Sequence, residues 1–250
     1  MRDGRQRIQG WIRRAPWAIL ACALVLTGCG GGGSNDITER PLVRLFNASI
    51  DASDLVARFD DRQFAGPVDV VSSQPNFVSV EDLDADLSIR TEGEEEDLDI
   101  ISFAPERDKS YLIFAIGLRD FGTSFLKRLR VETLEVDRSL PNASKARVVV
   151  LNGFLGNAEF DPPNVDLRDG EFPQFPFNDL AFGATSVREV DAGTRTYQLR
   201  PNDSELVYTT AEIDFRAGKI YFILLTGEDG GTADRAPKIT PFEFEAIDEL

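Results

Sequence analysis

Histidine is absent from all 250 residues, and this one absence excludes a great deal of chemistry. Ser-His-Asp and Cys-His arrangements, ordinary zinc and iron sites and the commonest general base all go with it. Cysteine occurs only as Cys22 and Cys29. The first lies in an N-terminal segment with the marks of a signal peptide and the second directly follows that segment. With Cys22 expected to leave with that segment and Cys29 expected to carry lipid, the exported part keeps no thiol for a disulfide, a thiolate metal site or a redox pair. Both tryptophans, Trp11 and Trp17, also fall in that segment, which removes the best stacking platform for sugars or cations. Basic residues are scarce as well. Without residues 1–28, which hold five arginines and one aspartate, 22 basic and 42 acidic residues remain, a formal charge of −20. Nucleic acid is excluded as a partner on this ground, because such binding draws most of its affinity from Lys and Arg neutralising phosphates.

What is present begins with an address. Arg2, Arg5, Arg7, Arg13 and Arg14 form a basic region ahead of an apolar stretch, Ala18 to Leu26, too short to span a bilayer comfortably. Leu26-Thr27-Gly28-Cys29 then reads as a bacterial lipoprotein processing site. Residues 1–28 are expected to be cleaved, with Cys29 diacylated and its new amino group acylated, giving enough chains for stable anchoring. Gly30 follows in place of the aspartate that usually retains lipoproteins at the inner membrane, so the expected location is the outer membrane of the cell envelope. The run Gly30-Gly31-Gly32-Gly33-Ser34, continued to Arg40, makes residues 29–40 a lipidated cysteine and flexible tether. About ten such residues span roughly 16–19 Å.

Beyond the tether the chain repeats itself. Leu42–Ser49 recurs as Arg147–Phe154 with Asn47 aligned to Asn152, and residues 87–117 map onto 197–227 at a constant offset of 110 without a gap. Apolar residues recur with a period near two, in runs of about five to nine separated by Pro, Gly, Asn and Asp, and no window keeps a capped helical face. The expected fold is all-β: two tandem antiparallel, immunoglobulin-like β-sandwiches, one over 41–138 and one over 147–250, with 139–146 as linker. Leu45, Ile89, Tyr111, Ile113 and their repeat partners are the expected core. The Arg44-x-x-Asn47 opening strand, Val165-Asp166-Leu167, Leu180-Ala181-Phe182-Gly183, Asp191-Ala192-Gly193-Thr194 and Ala217-Gly218-Lys219-Ile220-Tyr221 resemble the bacterial domain of unknown function 4397. The second copy matches more clearly than the first, which has Asp82-Leu83-Asp84 in place of the Ala-Gly-Thr turn. The resemblance implies an envelope-associated β-sandwich and brings no catalytic residues.

Three stretches could carry chemistry. The acidic run Glu92, Glu94, Glu95, Glu96, Asp97 and Asp99 invites weak calcium binding, but it lacks the spaced ligands of a specified calcium loop and also reads as a solvated hairpin that protects an edge. Asp161, Asn164, Asp166, Asp169 and Glu171 form an oxygen-rich segment stiffened by Pro162-Pro163, a candidate site for a small ligand or metal, with turn and strand residues as its structural counterpart. Phe172, Phe175 and Phe177 alternate with prolines and either pack back onto the sandwich or form an apolar patch for a partner. Ser124 and Lys127 spell the Ser-x-x-Lys of penicillin-recognising enzymes without its companion motifs.

No catalytic residue is expected, and no cofactor beyond weak calcium. The expected function is a non-enzymatic binding or scaffold lipoprotein, held to the membrane by its lipid and meeting an envelope or extracellular protein or glycan. The alternatives are an envelope glycan hydrolase using an Asp/Glu pair and a calcium-stabilised adhesion module.

Overall fold

A computed structural model describes residues 40–244 apart from 61, 82–83, 123, 158–160 and 171–176; Cys29 and the glycine tether lie outside the described residues. Seventeen strands account for the described fold. The first half contains β1 (Leu42–Asn47), β2 (Leu55–Phe59), β3 (Arg62–Val68), β4 (Ser72–Ser73), β5 (Val78–Ser79), β6 (Ala85–Thr91), β7 (Asp99–Phe103), β8 (Ser110–Ile116) and β9 (Arg130–Glu135). The second contains β10 (Lys145–Asn152), β11 (Val165–Asp169), β12 (Phe177–Leu180), β13 (Thr185–Asp191), β14 (Gly193–Pro201), β15 (Thr209–Phe215), β16 (Ile220–Thr226) and β17 (Lys238–Phe244).

Each half is a sandwich of two sheets, and the two halves share one topology. The order β4-β1-β8-β9, with β5 also on β1, faces β3-β2-β6-β7 in the first; β13-β10-β16-β17 faces β12-β11-β14-β15 in the second. The offset of 110 places β8 on β16 residue for residue. One feature departs from a purely antiparallel sandwich: β1 pairs with β8, and β10 with β16, in parallel. Parallel neighbours need a long connection, and here the chain visits the opposite sheet before it returns. Pro67 and Pro241 sit in β3 and β17, both edge strands, where a missing N–H costs no ladder bond.

The repeat preserves local anchors as well as strands. Asn47 is buried at the end of β1; its Nδ2 donates to Ala52 O at 2.6 Å and its Oδ1 accepts from Ser49 N at 3.0 Å. Asn152 does the same at the end of β10, donating to Leu180 O at 2.8 Å and accepting from Phe154 N at 3.0 Å. Each asparagine satisfies backbone groups that the turning chain leaves unpaired inside the protein. Tyr111 and Tyr221 accept from the backbone N–H five residues upstream, Glu106 and Arg216, at 3.1 and 2.9 Å. Gly117 and Gly227 both have φ of 103°, and a side chain on either would collide with the carbonyl of Arg128 or Ala236.

Leu45, Ile89, Tyr111 and Ile113 are buried in the first core, and Val150, Leu199, Tyr221 and Ile223 in the second. A third core lies between the sandwiches. Phe46, Ala48, Leu112, Phe114, Ile116 and Val136 of the first half meet Val149, Leu151, Ile220, Phe222, Leu224 and Phe244 of the second. Phe222 lies 4.5 Å from Phe46 and stacks on Phe114 at 5.0 Å, between ring centroids. The inner sheets thus pack against each other, and the described residues 40–244 form one compact unit of four layers. β8 and β16 are buried at every position: Tyr111, Ile113 and Ala115 face their own sandwich while Leu112, Phe114 and Ile116 face the other. This two-sided burial explains why both strands are continuous apolar runs.

A common core makes the halves unfold together. Calorimetry should show one transition, and Phe222→Ala should cost about 3–5 kcal/mol, lowering that transition by roughly 6–20 °C. Two separate transitions in the unmodified protein would contradict the coupling.

Candidate functional site

The oxygen-rich segment around β11 does not converge. Alternation along the strand sends Val165 and Leu167 into the core and Asp166 and Arg168 to the outer face. Asp161 is exposed before the strand. Asp166 accepts Arg168 Nη2 at 3.0 Å and the Asp179 backbone N at 2.9 Å. Asn164 and Asn202 both donate to Asp179 Oδ1, at 2.7 and 3.0 Å. These bonds fasten the irregular junction of β11 and β12, where the register shifts. Asp169 lies at the opposite end of the strand, buried. Glu171, Phe172 and Phe175 lie outside the described residues. Phe177 is fully buried in the core of the second sandwich, which corrects the reading of it as part of a partner-binding patch: β12 turns its ring inward.

Asp169 instead belongs to a cleft of about 320 Å³ at the end of the second sandwich, shared with Lys145, Arg188, Glu189, Asp191, Arg195 and Tyr197. Its carboxylate pairs with Arg195 Nη1 at 2.7 Å. Burial pushes the Tyr197 hydroxyl up to about 12; the Asp169 charge adds to the rise and Arg195 opposes it. Charges of both signs already answer one another here, which makes the cleft a structural polar plug.

The acidic run lies at the β6–β7 hairpin, and three of its carboxylates, Glu94, Asp97 and Asp99, are engaged within the fold. Arg119 Nη2 donates to both Glu94 oxygens at 3.0 and 2.9 Å, Arg90 pairs with Asp97 at 2.7 Å, and Asp99 accepts the Val131 backbone N at 2.8 Å, tying the two sheets together. Among the described residues no three Asp, Glu, Cys or His side chains gather closely enough to hold a metal ion. Ser124 and Lys127 sit in a single 3-10 turn, Phe125–Lys127. The Lys127 ammonium donates to Asn157 O rather than to Ser124, whose buried hydroxyl has no partner, so no nucleophile–base contact forms.

That same turn carries the feature that the sequence reading missed. Phe125 is 75% and Leu126 54% exposed, on the loop that joins β8 to β9. The loops beneath are held by charge-assisted bonds: Asp51 accepts the backbone N of Arg119 and Asp120 at 2.8 and 3.0 Å, and Glu228 pairs with Arg235 at 2.6 Å. Arg130 Nη2 donates to Phe182 O across the two halves at 3.3 Å while its guanidinium lies over the Phe182 ring. Phe182 belongs to the Leu180–Gly183 segment noted in the sequence. The chain begins β1 at the other end of the stack, where Leu42 pairs with Ser110, the first residue of β8. The exposed pair therefore stands at the end remote from Arg40.

No protein family matches the chain by its profile, and no curated protein matches it. Among solved structures it is similar to a candidate cell adhesion protein from Bacteroides ovatus ATCC 8483, with a TM-score of 0.27 and 10% identity over 85% of this chain and 99% of that one. It is also similar to CBMbc, a family CBM26 module of Eubacterium rectale Amy13K, in complex with maltoheptaose, with a TM-score of 0.24 and 11% identity over 83% and 98%.

The Tyr197 shift has a signed consequence. Below pH 10 the folded and unfolded chains both hold the phenolic proton and the contribution is intact. Between pH 10 and about 12 the unfolded chain loses it first, so stability falls. Because burial also raises Tyr208 and Tyr221, the loss of stability between pH 9 and pH 11.5 in denaturant unfolding should be about 2 kcal/mol smaller in Tyr197→Phe than in the unmodified protein; an equal loss in the two would contradict the assignment.

Proposed function

We propose that this protein is a non-enzymatic binding module, lipid-anchored at Cys29 in the outer membrane and holding an envelope or extracellular protein with the loops at its far end. One observation carries the reading. Phe125 and Leu126 are exposed at one end of a four-layer stack whose first strand starts at the other. Large apolar side chains that leave an otherwise tied-down loop expose area that a partner can bury. The shared core adds a mechanical reason: two sandwiches that pack through Phe46, Phe114 and Phe222 present the loop at a constant height and angle. A preorganised surface of this kind loses less freedom on binding than two beads on a string.

The reading has two separable parts. Labelled palmitate should enter the unmodified chain and fail to enter Cys29→Ser, with the label in the outer-membrane fraction; label retained by the variant would reject the anchor. Cross-linking in the producing cells should capture an envelope protein with the unmodified chain, and Phe125→Ser with Leu126→Ser should reduce that capture at least tenfold, the effect of losing about 1.4 kcal/mol. Undiminished capture would reject this face as the contact.

A further inference from the structure

The inner sheet of the second sandwich ends on an unpaired edge. β13 is seven residues long and borders the sheet β13-β10-β16-β17. Asn152 N donates to Ala184 O at 3.0 Å and Ala192 N to Ser144 O at 3.1 Å, and between these bonds the register of β10 with β13 runs without a shift. Bonded and non-bonded pairs alternate in an antiparallel ladder, so the even-numbered residues of β13 bond to β10. Thr185, Val187 and Glu189 therefore turn their backbone N–H and C=O groups outward, and among the described residues these groups have no partner.

Edges of this kind are usually shortened, broken or guarded, and several others in the molecule are. Pro67 and Pro241 interrupt β3 and β17, and at β9 the Val131 N–H donates to Asp99. β15 exposes two acids, Glu212 and Asp214. In the first half the place of β13 is taken by β4 and β5, of two residues each, and between them Gln74 O accepts from Arg44. β13 is neither shortened nor broken.

Its side chains point the same way. Residues directly opposite share a face, so one row crosses the inner sheet: Phe242 on β17, Phe222 on β16, Val149 on β10 and Val187 on β13. Phe222 and Val149 belong to the core between the halves and Phe242 packs against it, whereas Val187, last in the row, is 53% exposed. The row reaches the edge still apolar. In the first half the corresponding row, Leu134, Leu112 and Arg44, ends on a charge.

We infer that β13 pairs antiparallel with β13 of a second copy of the chain, Val187 facing Val187 across a two-fold axis perpendicular to the sheet. Charge selects the register. Such an axis keeps each residue on its own face and so passes through a pair of identical residues. Centred on Arg188 or Glu189, it sets like charges directly opposite, which is destabilising; centred on Ser186, it leaves Glu189 beyond the other strand. Centred on Val187, it sets Arg188 opposite Ser186 and Glu189 opposite Thr185, and every outward N–H and C=O of Thr185, Val187 and Glu189 gains a partner. The valine pair also leaves water and joins the two apolar rows into one. The pairing goes beyond the proposed function, since it uses neither Phe125 nor Leu126. Antiparallel pairing points the two tethers in opposite directions, so anchored copies paired this way join two facing membrane surfaces; that consequence rests on the anchor proposed above, and the pairing itself does not.

The test uses the full chain in detergent. Under mild oxidation Val187→Cys should form a disulfide-linked dimer, because residues opposite in a bonded pair have Cα atoms about 5.5 Å apart, a separation that a disulfide spans. Glu189→Cys should not, since its own copy lies four residues, roughly 13 Å, further along the ladder; the unmodified chain controls for Cys22 and Cys29. Sedimentation equilibrium should find the unmodified chain exchanging between monomer and dimer, with association at least tenfold weaker in Val187→Lys, where two cations meet. Phe125→Ser with Leu126→Ser should dimerise as the unmodified chain does, which separates this pairing from the loop contact. An unmodified chain that stays monomeric, equal linkage through Val187→Cys and Glu189→Cys, or undiminished association in Val187→Lys overturns the inference.

Discussion

Three phenylalanine rings at the centre of the molecule, Phe46, Phe114 and Phe222, hold its two halves in a single arrangement. Each half could close its own sandwich, but each inner sheet carries a second apolar face, and that face can leave water only against its counterpart. The six buried side chains that each half contributes to this third core therefore convert a tandem repeat into one body. Aromatic pairs in offset or edge-on contact add to the area effect and fix geometry, so the seam specifies orientation as well as adhesion.

The remaining architecture follows from that seam. The parallel pairs β1–β8 and β10–β16 start at one end of the stack and finish at the other. The ends carry loops fastened by Asp51, Glu228 and Arg130, leaving Phe125 and Leu126 outward. The starts enclose a cleft lined by Arg44 and Arg138. The outer sheets, which face solvent, carry ion pairs such as Arg62–Glu81, with both side chains exposed. Exposed pairs of this kind contribute little to stability; their abundance reflects the acidic surface rather than the source of the fold.

Much of the fold was legible because it rests on short-range rules. Alternation identified strands, the asparagines at 47 and 152 marked equivalent strand ends, and the offset of 110 matched the two halves. The parallel pairing of β1 with β8 was not legible, because the same period of two serves either direction. The candidate site fared differently. Five oxygen-bearing residues close in sequence, Asp161 to Glu171, looked like one cluster, but a strand carries residues only five apart to its two ends and alternates them between two faces. Asp166 and Asp169 found arginine partners separately. Phe125 and Leu126 carried no signal beyond two apolar residues in a turn.

Sequence alone determined the class of the fold, the repeat and the absence of histidine chemistry, since composition and periodicity act through each residue's own preference for water and backbone shape. Tertiary structure decided which faces meet. Whether Phe114 looks into its own sandwich or its neighbour, and whether Arg44 meets a carboxylate or the neutral acceptors Gln74 O and Ser73 Oγ, depends on groups far away along the chain, and only packing brings them within reach.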